Sequence, residues 1–152
     1  MPKRTATRTR KPERPKTDPH SAAFFDAIES SGHLPRHITA PEAAAGILGV
    51  MLLRLPTAEA RAFVDGQPES VRALLRPFAA ERPDEPTAFD REGFLQLVGE
   101  QFGVTHEAAL RLARVVFAAL EYELPVQEQV ERVEAELPAG LRELWRQDTL
   151  GA

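Results

Sequence analysis

Four histidines, His20, His33, His37 and His106, are the first residues whose chemistry would matter. His33 and His37 have the i, i+4 spacing of two metal ligands on one helix face, but Pro35 between them breaks the helix that gives the spacing meaning. His106 falls in the first turn of a predicted helix, where a solvated ring is the ordinary outcome. The chain has no Glu-x-x-His pair, which argues against a carboxylate di-iron site. Glu128, Glu131 and Glu134 recur every three residues, but acid/base or metal chemistry needs facing ligands and a closed pocket. A solvated helix face partly paired with Arg132 is the simpler reading. Ser21, Ser30, Ser31 and Ser70 include no Gly-x-Ser-x-Gly elbow, and no Gly-x-x-x-x-Gly-Lys phosphate loop occurs. The chain has no cysteine, so thiolate nucleophiles, disulfides and cysteine-ligated metals are excluded. The expectation is a non-enzyme with no catalytic residue, no metal and no cofactor.

Charge offers a different chemistry. Residues 1–18 hold seven of the 19 basic residues and two of the 23 acids, so this segment is +5 and the remainder −9. Lys3, Arg4, Arg8, Arg10, Lys11, Arg14 and Lys16 suit contact with nucleic acid or an anionic surface, by counterion release and without sequence preference. The −9 remainder opposes binding to DNA, and no aromatic interleaves the basic residues for stacking. A solubilising extension is the competing reading. Four prolines and no aliphatic side chain larger than Ala after Met1 predict a disordered basic tail over 1–20. No apolar leader follows the first residues, and the longest charge-free stretch, Ala43 to Leu53, is eleven residues. A membrane helix needs about 20. No membrane association and a cytoplasmic location are expected.

At 152 residues and 43% hydrophobic composition, the chain can build a core without staples. Thr39, Pro41 and Glu42 form an N-cap, a first-turn proline and a capping-box acid. The apolar set Ala43, Ala44, Ile47, Leu48, Met51 and Leu55 follows at helical spacing until Pro56. Gly46 and Gly49 lie on an adjoining stripe, where a neighbouring helix can approach closely. Thr105 caps a second core helix carrying Leu110, Ala113, Phe117, Leu120 and Leu124, and Pro125 ends it. That helix is apolar enough to sit centrally in a bundle.

Three blocks of the chain match at one offset. Leu55-Pro56 corresponds to Leu124-Pro125, and Val71 through Arg76 to Leu141 through Arg146. Phe24-Phe25 with Ile28 corresponds to Phe94-Leu95 with Val98. Collinear matches at about 70 residues predict an internal duplication. The fold class is therefore all-α, a compact bundle of about eight helices from two tandem four-helix repeats. The first repeat spans 21–78, with helices near 21–31, 40–54, 57–66 and 68–78. After a linker over 79–88, the second spans 89–147, with helices near 90–102, 105–124, 126–136 and 138–147. Leu75 and Trp145 occupy equivalent positions, for packing between the repeats or for contact with a partner.

The order of these motifs resembles the bacterial family known as domain of unknown function 2267. The residues that carry it are Phe94-Leu95, Thr105 through Leu124-Pro125, and Leu137-Pro138-Ala139-Gly140-Leu141-Arg142-Glu143-Leu144. The first unit departs by starting its core helix about one turn late and by having Gln67-Pro68 in place of Leu-Pro. The resemblance covers about residues 21–147. It implies the fold and the duplication, and it brings no catalytic residues to transfer. The expected function is a non-catalytic protein-interaction or structural module, through a protein partner or self-association, with nucleic-acid contact through the tail as the alternative.

Overall fold

Helix signals dominate from Asp18 onward, and each finds its helix in a computed structural model that describes residues 17–81, 83, 85–124 and 127–146. The first four helices are α1 (Pro19–Ser30), α2 (Ala40–Leu53), α3 (Thr57–Asp65) and α4 (Glu69–Ala80). They are followed by α5 (Arg91–Phe102), α6 (His106–Glu123), α7 (Gln127–Ala135) and α8 (Ala139–Arg146). No strand occurs among the described residues. The caps are local and chemical. Thr39 and Glu42 close a reciprocal capping box on α2, and Thr105 accepts from the Ala108 N–H at the start of α6. Gly103 ends α5 in the left-handed conformation at φ 66°.

Two boundaries differ from the sequence reading. Pro19 and His20, expected in the tail, belong to α1, because Asp18 is its N-cap and a proline is favoured at the first helical position. α4 runs on to Ala80 through Pro77, which forgoes its own bond to the Ala73 carbonyl, while the Glu81 N–H still donates to the Pro77 carbonyl at 3.0 Å. The connector is tied down by the Thr87 N–H, which donates to the carbonyl of Leu53 at 2.7 Å.

α2 and α6 form the centre, and their buried residues join those of the other helices in one apolar core. The helix contacts come in matching sets. α1 packs on α2 and α4, as α5 packs on α6 and α8; α4 meets α2 and α3, as α8 meets α6 and α7. Across the two halves α1 lies along α6 and α2 along α5, while α2 meets α6 and α3 meets α7. Aromatic rings run through the middle: Phe94 is 6.0 Å from Phe117, Phe117 is 4.9 Å from Trp145, and Trp145 is 6.4 Å from Phe63. The chain of rings thus passes from α5 through α6 and α8 to α3.

The small stripe on α2 admits rings rather than helix backbones. A Cβ on Gly46 would lie 2.2 Å from the Phe102 ring, and one on Gly49 would lie 2.7 Å from the Phe78 ring. Ala in place of Gly46 therefore has two opposed effects. It gains about 1 kcal/mol of helix propensity, and it must displace a packed ring, which costs about 1–3 kcal/mol. Gly46→Ala is expected to destabilise the wild type by about 1 kcal/mol in urea unfolding, and to stabilise a Phe102→Ala background by about as much.

Candidate functional site

Among the residues singled out by sequence, the seven basic ones from Lys3 to Lys16 lie outside the described residues. Leu75 and Trp145 are interior, each 0% exposed, so neither side chain reaches a surface partner. Trp145 packs edge-on against Phe117 and Phe63, and its indole N–H donates to the carbonyl of Val130 on α7 at 3.3 Å. Tyr122 stands 85% exposed on the last turn of α6.

The ionisable side chains are dispersed. His33 lies in the turn after α1, the His37 ring is 3.3 Å from the carbonyl of Phe102, and His106 pairs with Glu92 at 3.4 Å on the exposed surface. Among the described residues, no group of three or more His, Asp or Glu could hold a metal ion. Glu134 pairs with Arg146 of α8 at 3.0 Å, a partner twelve residues on rather than a neighbour on its own helix. No helix among the described residues is long and apolar enough to cross a membrane.

One set of converging polar groups serves helix ends. α4 follows Pro68, which supplies no capping side chain. Its N–H groups at Ser70 and Val71 instead donate to Asp18 Oδ1 at 2.8 Å and Ser21 Oγ at 3.2 Å. Asp18 caps its own helix at the same time, its Oδ2 accepting from the Ser21 N–H at 3.0 Å. One carboxylate thus joins the N-termini of α1 and α4, where two helix dipoles favour negative charge. Burial opposes ionisation of Asp18, but the hydrogen bonds from Ser70 and Ser21 outweigh it and hold the carboxyl well below the usual carboxylate range. A depressed folded-state value means that the contribution is complete above the unfolded value of about 4 and is lost as pH falls through the folded one. Asp18→Ala is expected to cost about 1–2 kcal/mol at pH 7. Chemical unfolding of both proteins from pH 7 down to pH 2 should show the gap narrowing as acid is added.

Sequence reasoning missed this junction. Its only local signs were Asp18-Pro19 and a Pro68 with no capping residue beside it. Gln67, which stands where the second half has Leu137, is 2% exposed. Its Nε2 donates to the carbonyl of Phe63 at 2.8 Å near the end of α3, and its Oε1 has no partner among the described residues. The amide acts as a buried C-terminal cap and carries an unsatisfied acceptor, which is costly when buried.

Besides a depression lined by Glu92, Gln96, Glu100 and His106, the surface offers two features with shape. A strip follows α2, whose single charged side chain is Glu42. It is lined by Gly46, Gly49, Val50 and Leu53 of α2, by Phe78 of α4, and by Gln101 and Phe102 of α5, with Glu42 near one end and Glu81 near the other. Phe78 is 36% exposed there. A second depression, of about 340 Å³, lies between α1 and α6.

Among the described residues the chain is all-α, with eight helices packed around one apolar core. The chain belongs to the family described as "uncharacterized conserved protein (DUF2267)", whose model matches residues 21–144. No curated protein matches it.

Proposed function

We propose that the chain is a non-catalytic interaction module made of two tandem four-helix units, 21–78 and 89–147, folded together as one domain. The duplication is supported by the matched helix contacts, because exchanging α1–α4 for α5–α8 leaves the whole set unchanged. α3 and α7 are each nine residues long and begin 70 residues apart. Arg72 donates to the carbonyl of Gln67 at 3.0 Å, as Arg142 does to that of Leu137 at 2.9 Å. Two such units hide their apolar faces in each other around a pseudo-two-fold axis.

The apolar strip on α2 carries the interaction reading. From Glu42 to Leu53 it is about 16 Å long, three turns of helix. Its middle is largely apolar with Gln101 at the side, and Glu42, beside His37, and Glu81 stand near its two ends, which suits an amphipathic partner helix with an apolar face and basic ends. The test retrieves partners from lysate on the full chain and on Leu53→Glu, with far-UV circular dichroism to confirm that both fold. A partner held by the wild type and lost with Leu53→Glu is expected. A protein that retrieves nothing, or a partner indifferent to Leu53→Glu, would contradict the reading.

The seven basic residues before Thr17 favour a second reading, weak phosphate-backbone contact. It is separated by a salt-titrated DNA-binding assay on the full chain and on a variant that lacks residues 1–16 but keeps the Asp18 cap. Equal binding by the two removes the arm from the account.

A further inference from the structure

The depression between α1 and α6 is built from side chains that face one kind of ligand. Its apolar part is Ala27 of α1 with Val115 and Ala118 of α6, and the small alanines leave the space open. Its polar rim is Arg111 and Arg114, one turn apart on α6, and His33. No carboxylate lines it, although acids outnumber bases 22 to 12 from residue 17 onward. Arg111 forms no hydrogen bond or ion pair among the described residues. Among the described residues its charge thus has no partner beside the apolar floor.

The turn after α1 holds the rim in place. Gly32 takes φ 83°, a left-handed conformation that returns the chain toward α6. The His33 N–H then donates to Ser31 Oγ at 3.1 Å. Ser31 also covers the carbonyl of Ile28, from its Oγ at 2.8 Å and its N–H at 3.3 Å. Partial negative charge at the C-terminus of α1, which would repel an anion, is thereby reduced.

We propose that this cleft binds a small organic acid, with its carboxylate held by Arg111 and flanked by Arg114, which is already engaged within the chain, and its apolar body seated on Ala27, Val115 and Ala118. Guanidinium groups match a carboxylate by paired hydrogen bonds, and the apolar floor separates an organic acid from a bare inorganic anion. The volume is at the lower end for small-ligand sites and suits a body the size of one aromatic ring.

Benzoate is the probe, titrated into the full chain and followed by ¹H–¹⁵N chemical shifts. Saturable shifts at Ala27, His33, Arg111 and Val115 are expected with Kd of about 1 mM or tighter. Arg111→Gln, a surface change with no partner to lose, should weaken binding about tenfold. Ala118→Leu, which fills the floor, should abolish it. Benzyl alcohol, with the same ring and no charge, should not saturate. Absence of saturation by benzoate, unchanged affinity in either variant, or equal binding of benzyl alcohol or inorganic phosphate would each overturn the proposal.

Discussion

Trp145→Ala is expected to lower the unfolding free energy by about 3–5 kcal/mol, the largest effect of any single substitution considered. The side chain is wholly buried, and its ring lies between Phe117 of α6 and Phe63 of α3. Truncation removes ring contacts to two helices and the hydrogen bond to Val130 on α7. It also leaves a cavity bounded by helix backbones that cannot collapse into it. Trp145→Phe keeps part of the ring packing and loses the indole N–H, so its cost should be smaller. Both are read by urea denaturation followed by far-UV circular dichroism, the alanine variant shifting the midpoint further with little change in slope.

Leu75→Ala is expected to cost about 2–4 kcal/mol by the same mechanism. Leu75 is also wholly buried, on the inward face of α4 with Val71 and Ala79. It stands 70 residues before Trp145, on the helix that meets α2 and α3 as α8 meets α6 and α7. A leucine leaves a smaller void than a tryptophan, which sets the order of the two effects. The change lies in the first half of the chain, and its consequence should extend to the second, because α1 against α6 and α2 against α5 place each half's apolar surface on the other.

Elements whose signals are local were legible in the sequence. The capping box at Thr39 and Glu42 lies within four residues, and the periodic apolar runs of α2 and α6 end at their prolines, so their boundaries follow from short-range chemistry. The burial of Trp145 and Leu75 was legible as one of two readings, because both fall on the apolar face of a short helix. The Asp18 junction was not. Its acceptor and its donor at Ser70 are 52 residues apart, and nothing in a helix start indicates that a distant side chain will complete it. The glycine stripe on α2 was visible as a place of close approach, but the rings that fill it arrive from α4 and α5. The cleft floor escaped for the same reason, since Ala27 and Ala118 become neighbours only when α1 lies along α6. Gln67 broke the leucine pattern of the second half, and only the fold shows that its amide bonds the carbonyl of Phe63.

That the two halves form a single interlocked body underlies both the strip on α2 and the cleft between α1 and α6. Trp145 is the only tryptophan, and its ring sits where the second half meets Phe63 of the first, so its fluorescence reports on that junction. The decisive measurement is the urea midpoint of Trp145 fluorescence in wild type and Leu75→Ala, beside the midpoint from circular dichroism. Coincident transitions, both moved equally by Leu75→Ala, are predicted. A fluorescence midpoint that stays in place while part of the dichroism signal shifts would contradict the shared core.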